Sequence, residues 1–353
     1  MFAKFISKNK VRVAINGFGR IGRGAFKILL KNEKVEVVAI NDLTDTKTLA
    51  QLLQYDSVYG KYDKKVEAHA ASLRVDGKDY PVFAIKEPQE LPWKKMAVDV
   101  VLECTGRFTD KESALLHLSA GARKVIISAP ASSAKSADSA GKPAEEIKTI
   151  VLGVNENKIT KADKIISMAS CTTNCLAPIT DVINKSFGVK KAIMSTVHAY
   201  TADQSLVDGP HKDLRRARAA AFNIIPTTTG AAVSVAKTIP QLAGKFDGLS
   251  LRVPVICGSL CDAVYVLSKP VTEFKINETL RKASGSARLK GILAVTNEPL
   301  VSSDIIGNSA SAIVDLPLTK VIDGDLVKIV AWYDNEWGYA NRLAEMAEMF
   351  GRV

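Results

Sequence analysis

The chain has little of what would tie it to a membrane, a secreted scaffold or a metal. None of its apolar runs approaches the roughly 20 residues that cross a bilayer. Its 353 residues include five cysteines, none at the spacing of a disulfide framework or a zinc site. That excludes a stapled extracellular fold and points to a reducing compartment, with thiol chemistry at one site at most. Aromatic residues make up 6% of the chain, and none interleave with a basic platform of the kind that stacks nucleic-acid bases. There is no internal repeat. Histidine is scarce: His69, His117, His198 and His211 are all there are. The basic opening Met1–Lys8 is too short for a signal peptide and is followed by no small-residue cleavage site, so it reads as an extension of a cytoplasmic protein.

What is present is a globular composition, 47% hydrophobic, with length for two domains that each bury a core. The formal charge of +11 predicts affinity for anions: phosphorylated metabolites, anionic cofactors or nucleic acid. Val11–Ile15 alternates as a strand and runs into Asn16-Gly17-Phe18-Gly19-Arg20-Ile21-Gly22, after which Ala25, Ile28 and Leu29 carry helical spacing. Strand, Gly-x-Gly-x-x-Gly and helix form the context of a dinucleotide fingerprint. Gly17 makes the tight turn, Gly19 lets a pyrophosphate approach the backbone, and Gly22 lets the helix pack on the strand. A second strand, Val35–Ile40, ends in Asn41-Asp42, placing a carboxylate where ribose hydroxyls would bind and a 2′-phosphate would be repelled. This favours NAD over NADP. The alternative role for Asp42 is a cap on a helix over 46–53.

Further strands and helices alternate: a hairpin over 73–85 turning at Asp76-Gly77, a strand over 98–104, a helix over 111–119, a strand over 124–128, and short strands over 150–154 and 164–168. The pattern predicts a Rossmann-type doubly wound parallel sheet, with Thr105 and Ser128 at strand ends along the glycine-lined crevice. Residues 131–148 interrupt it as a solvated insertion. Beyond Gly188 longer strands predict a second, α+β domain with a largely antiparallel or mixed sheet. The expected division is 1–170, completed by a C-terminal helix in 336–353, and 171–335.

Ser170-Cys171-Thr172-Thr173-Asn174-Cys175 precedes a helical run through Leu176, Ile179, Val182 and Ile183. A thiol at a helix N-terminus gains from the dipole and the unpaired N–H groups. Cys171 is therefore a candidate nucleophile, with a buried structural cysteine as the alternative; Cys175, one turn on, reads as packing. The hydroxyls around Cys171 suit an anion. His198, near the end of a strand over 192–198, is its candidate base by elimination: His69 and His117 fall in segments read as surface hairpin and helix, and His211 in a charged loop. Thr227-Thr228-Thr229-Gly230 before the helix over 231–237 is a further anion site. Arg252, alone among apolar neighbours, needs an anionic partner, either a phosphate or a structural carboxylate. The basic loop over 208–218 reads as solvated or subunit-facing, with direct phosphate binding as the alternative. An amphipathic helix over 272–284 and a closing helix over 341–350 complete the reading.

Asn16–Arg23 (NGFGRIGR), Ser170–Cys175 (SCTTNC), Thr196-Val197-His198 and Trp332–Tyr339 (WYDNEWGY) together resemble the phosphorylating glyceraldehyde-3-phosphate dehydrogenase family, over essentially the whole chain. The resemblance implies oxidation of glyceraldehyde 3-phosphate to 1,3-bisphosphoglycerate with reduction of NAD, through a thioester on Cys171 activated by His198. It implies inorganic phosphate at Ser170, Thr172, Thr229 and Gly230, and the substrate phosphate at Thr201, Asp203 and Arg252. Cofactor contacts fall on Gly17, Gly19, Arg20, Ile21, Gly22, Asp42, Lys86, Thr105, Ser128 and Asn335, the last on the nicotinamide amide. Lys86-Glu87-Pro88 stands where the family often has Arg-Asp-Pro. A homotetramer is implied, with no metal, membrane or nucleic-acid requirement. The alternatives are erythrose-4-phosphate dehydrogenase on the same scaffold and, from another class, nucleic-acid binding as a secondary role.

Overall fold

A computed structural model describes residues 10–132 and 146–353. The extension Met1–Lys8 and most of the insertion over 131–148 lie outside the described residues. The chain divides into two compact units. One takes the residues up to Lys148, Ile159–Met168 and Leu343–Val353; the other takes Thr149–Lys158 and Ala169–Arg342.

In the first unit the strands follow the order Ile165–Ser167, Lys124–Ile127, Val100–Glu103, Val11–Asn16, Val35–Asn41, Lys78–Phe83, Ser72–Val75, Val66–His69. The first six are parallel. Helices such as Arg20–Leu29 and Lys111–Ser119 follow them, and Val13, Ala14, Ile15, Val101 and Ile126 are fully buried. Their runs are apolar rather than alternating because both faces of a parallel sheet are covered. The chain order reverses on either side of Val11–Asn16, the switch point at which doubly wound sheets open a crevice. Register brings Asn16 opposite Asn41 on one side and opposite Glu103 on the other, so three polar residues end adjacent strands in one row.

The hairpin turns at Asp76-Gly77, both at positive φ (48° and 78°), as a two-residue turn between twisted strands requires. Its second strand joins the parallel sheet, and a strand absent from the sequence reading, Val66–His69, pairs with its first.

The second unit carries a mixed sheet in the order Ile225–Thr228, Phe246–Val253, Val189–Ala199, Ser259–Leu267, Leu326–Tyr333, Ala312–Asp315, Leu293–Thr296, with Lys320–Ile322 beside Leu326–Tyr333. Ser259–Leu267 alternates buried and partly exposed residues along its whole length, the signature of a sheet covered on one face. The helix Cys171–Phe187 packs against several of these strands.

Two expectations are corrected. Residues 150–154 are not a strand, because Asn155 takes the Val151 N–H at 2.8 Å and donates to the Thr149 carbonyl at 2.9 Å, drawing the backbone into a turn. Gly153, at φ 79°, leaves no room for a Cβ beside Leu289. The closing helix runs over Trp337–Arg352, filling the expected 336–353 and starting before residue 341, where periodicity placed it, since Asp334 Oδ1 accepts the N–H groups of Glu336 and Trp337. Among the described residues no helix is long and apolar enough to cross a membrane.

Candidate active site

The first unit supplies a cleft of about 430 Å³ at its switch point. Gly17 turns out of the first strand at φ 92°, and a Cβ there would lie 2.7 Å from the Thr105 nitrogen. A Cβ on Gly22 would come within 2.1 Å of the Gly17 carbonyl, whereas one on Gly19 would meet nothing within 4 Å. Packing therefore demands glycine at 17 and 22, while 19 leaves the backbone open. Gly19 caps the helix Arg20–Leu29 without a side chain, so first-turn N–H groups are available to an anion. These features fit a dinucleotide pyrophosphate.

Asp42 accepts the Phe18 N–H at 2.7 Å and the Thr44 N–H at 2.9 Å, which pins it to the glycine-rich loop. The helix-cap role weighed for it belongs to Asp45, whose carboxylate takes the Thr48 N–H. Gly17, Gly19, Asp42, Lys86 and Thr105 line the cleft together, with Lys86 exposed at its lip. Arg20 turns its guanidinium to Asp56, 2.8 Å away, and lies over Tyr59, so its backbone is what it offers the cleft. Ile21 is half-buried in the same turn. Ser128 follows the neighbouring strand, its N–H on the Glu103 carbonyl.

The second unit holds the thiol. Ser170 caps the helix Cys171–Phe187 by accepting the Thr173 N–H, which sets Cys171 in the first turn. Cys171 Sγ lies 3.4 Å from His198 Nε2. His198 Nδ1 donates to the Ala199 carbonyl at 2.6 Å, a bond that fixes the tautomer and turns the Nε2 lone pair to sulfur. His198 and Arg252 sit opposite one another on adjacent parallel strands. Arg252 Nη1 donates to Thr201 Oγ1 at 2.8 Å and to the Ala199 carbonyl at 3.1 Å, and stands 3.1 Å from His198 Nδ1. Burial pushes the Cys171 thiol up to about 11, against the opposing pull of the Arg252 cation and the bonds from Thr172. Burial and then Arg252 hold His198 down at about 3. The proton of the pair therefore sits on sulfur, facing an unprotonated acceptor.

The hydrogen bonds of Arg252, to Thr201 Oγ1 and the Ala199 carbonyl, go to neutral atoms, and its buried Nε has no partner. A structural carboxylate, one of the two partners expected for it, is not in contact. Thr201 Oγ1 donates to Asp203, and Asp203 pairs with Arg216 at 2.5 Å. Thr229 Oγ1 accepts the Ala231 N–H, and Gly230 starts the helix Ala231–Thr238 with no side-chain cap. Thr172 is buried with its hydroxyl 2.9 Å from that of Tyr333. Asn335 Oδ1 accepts from the Gly258 N–H and the Ser259 hydroxyl, which fixes its carboxamide.

Sequence reasoning missed Arg216, which lay in a loop read as solvated. In the fold its guanidinium reaches Asp203, Thr227 and the Thr228 carbonyl, contacts that no local pattern announces. It also misplaced His117. That ring is fully buried, bonded to Glu103 and Trp93, because its helix turns the residue toward the sheet.

A doubly wound unit with a glycine-lined anion cleft, joined in one chain to a unit bearing a helix-borne thiol against an imidazole, has the architecture of a nucleotide-dependent enzyme. Residues 11–111 match the family model described as the glyceraldehyde 3-phosphate dehydrogenase NAD binding domain, and residues 170–335 match that of the C-terminal domain. The chain belongs to the glyceraldehyde-3-phosphate dehydrogenase family. It is 52% identical over 344 residues to the glyceraldehyde-3-phosphate dehydrogenase of Borreliella burgdorferi, covering 96% of this chain and 99% of that one. It is 53% identical over 338 residues to that of Geobacillus stearothermophilus, covering 96% and 97%. With glyceraldehyde-3-phosphate dehydrogenase 1 of Bacillus subtilis it shares 52% over 338 residues, at the same coverage.

Proposed function

We propose that the protein oxidises glyceraldehyde 3-phosphate to 1,3-bisphosphoglycerate through a Cys171 thioester, the first unit serving as the NAD-binding domain and the second as the catalytic domain. The 3.4 Å approach of Cys171 Sγ to His198 Nε2 carries this reading. As sulfur bonds to the aldehyde carbon, its proton passes to Nε2 and on to the carbonyl oxygen, giving a hemithioacetal. His198 then takes the hydroxyl proton as the carbon is oxidised to the thioester. NAD supplies the hydride acceptor. Inorganic phosphate attacks the thioester carbon, the C–S bond breaks, and the departing sulfur recovers a proton from His198. A thioester suits this step because thiolate leaves readily, whereas an oxygen ester would hold the acyl group.

Arg252, with an unpartnered Nε, and Thr201 and Asp203 beside it are proposed to hold the substrate phosphate. Ser170, Thr172, Thr229 and Gly230 are proposed for inorganic phosphate. Asn335 is assigned to the nicotinamide amide, and Arg20, Ile21, Asp42, Lys86, Thr105 and Ser128 to the rest of the cofactor. The relatives' names favour the glyceraldehyde 3-phosphate reading over the erythrose 4-phosphate one. A cytoplasmic homotetramer is the proposed setting. Leu206, Leu214, Phe222 and Ile224, all exposed in one stretch of the second unit, support a subunit contact there.

The test is NADH formation from glyceraldehyde 3-phosphate and NAD, with and without inorganic phosphate, in the parent and in Cys171→Ser. Phosphate-dependent turnover lost in the variant is expected. A parent that turns over neither with nor without phosphate overturns the reading.

A further inference from the structure

Behind the cofactor cleft lies a buried polar chain that the reaction does not use. Trp93, His117 and Glu103 are essentially inaccessible to solvent, and Asn16 and Asn41 nearly so. Trp93 Nε1–H donates to His117 Nδ1 at 3.0 Å. Because an indole N–H can only donate, His117 Nδ1 is the bare nitrogen and the ring proton sits on Nε2. That proton points to Glu103 Oε2, 3.0 Å away. The same oxygen accepts Asn16 Nδ2 at 2.6 Å, and Asn16 Oδ1 accepts Asn41 Nδ2 at 2.7 Å. Asn41 is tied in turn to both backbone groups of Ile85. The other carboxylate oxygen accepts the N–H and the hydroxyl of Thr105.

Four donors converge on two oxygens, so Glu103 acts only as an acceptor. Apart from His117, each partner belongs to or leads to a wall of the cleft. Asn16 immediately precedes Gly17, whose backbone packs against Thr105 so closely that a Cβ would not fit. Asn41 precedes Asp42, and Ile85 precedes Lys86. A shift of the Glu103 carboxylate therefore moves the Gly17 turn, the Thr105 backbone and the Asp42 strand end relative to one another.

We propose that His117 is a positioning residue for the nicotinamide cofactor, holding Glu103 so that Asn16 and Thr105 set the width of the cleft. The inference rests on the assignment of NAD to that cleft. Losing the His117 donor strips Glu103 of one of four bonds in a site sealed from bulk solvent, and a buried carboxylate short of donors rearranges its neighbours. Simple core packing predicts something different: lower thermal stability with the cleft unchanged.

The experiment is calorimetric titration of the full chain with NAD, in the absence of substrate, for the parent, His117→Leu, His117→Gln and Glu103→Gln, with melting temperature measured in parallel. His117→Leu keeps the volume and removes the donor, and should weaken NAD binding about tenfold, equivalent to about 1.4 kcal/mol. His117→Gln places an amide N–H at the Nε2 position and should stay within about threefold of the parent. Glu103→Gln provides the second route to the same loss if His117→Leu does not fold. Lower melting temperature with the parent's Kd in both His117→Leu and Glu103→Gln overturns the inference, as does a His117→Gln as weak as His117→Leu. A parent that fails to bind NAD overturns the cofactor assignment itself and this inference with it.

Discussion

At the scale of the residue, the proposed chemistry depends on how one cation biases a two-atom proton exchange. Arg252 lies beside His198 Nδ1 and is among the causes that lower both the Cys171 thiol and the His198 imidazolium. A positive charge favours the thiolate and disfavours the protonated ring. Removing it in Arg252→Leu should raise both groups, so the pH midpoint for alkylation of Cys171 by iodoacetamide moves upward relative to the parent. An unchanged midpoint would take Arg252 out of the electrostatics of the pair and leave it a phosphate role alone. The structure brings together Cys171 and His198, the two residues the sequence proposed as a pair, one from its place before a helical run and the other by elimination. The grounds for elimination were partly wrong: His117 is excluded as the base because it is sealed behind Trp93 and Glu103, not because it is on the surface.

At the scale of the element, the placement of the thiol is a matter of helix capping. Ser170 accepts the Thr173 N–H at 3.1 Å and shares a 2.8 Å hydroxyl contact with Thr173. It is preceded by Ala169 at φ 55°, an unusual conformation for a residue with a Cβ. Ser170→Ala should cost about 1 kcal/mol of stability, the usual worth of an N-cap, measured as a lower urea midpoint at unchanged slope. If phosphate also binds this hydroxyl, the KM for phosphate rises in the same variant. Helices with strong caps were readable: 111–119 was placed to the residue, and the helix over 272–284 begins behind its Thr272 cap. The segment over 150–154 was not, because its apolar run looks like a strand and only the Asn155 side chain, reaching back four residues, turns it away from the ladder.

At the scale of the whole molecule, the exposed apolar stretch of the second unit is the feature a lone chain least explains. Phe222 is 85% exposed, and Leu214 and Leu206 exceed 80%. If the proposed tetramer forms, Phe222→Asp should shift the sedimentation of the protein from a four-chain particle to smaller species, because a desolvated carboxylate opposes burial of the surface. Sedimentation as a single chain in the parent would instead remove the assembly from the proposed function. The formal charge of +11 already counts the carboxylates that pair with Arg216, Arg218 and Arg288, so these pairs fix where the basic excess does not lie without reducing it.

The sequence by itself determined the doubly wound sheet, the glycine-rich turn, the acidic strand end and the thiol at a helix start. Each follows from local rules: periodicity of two or 3.6, the room a glycine leaves, and the dipole of a helix. Only the tertiary structure decided which distant groups meet. The pairing of His198 with Arg252 and of Asn16 with Glu103 depends on strand register, while the reach of Arg216 to Asp203 and Thr227 and the contacts of His117 with Trp93 and Glu103 depend on how loops and a helix pack on the sheets. Register is fixed by the packing of the whole sheet, and a one-residue slip that local sequence scarcely distinguishes would turn the strand residues among them to the opposite face.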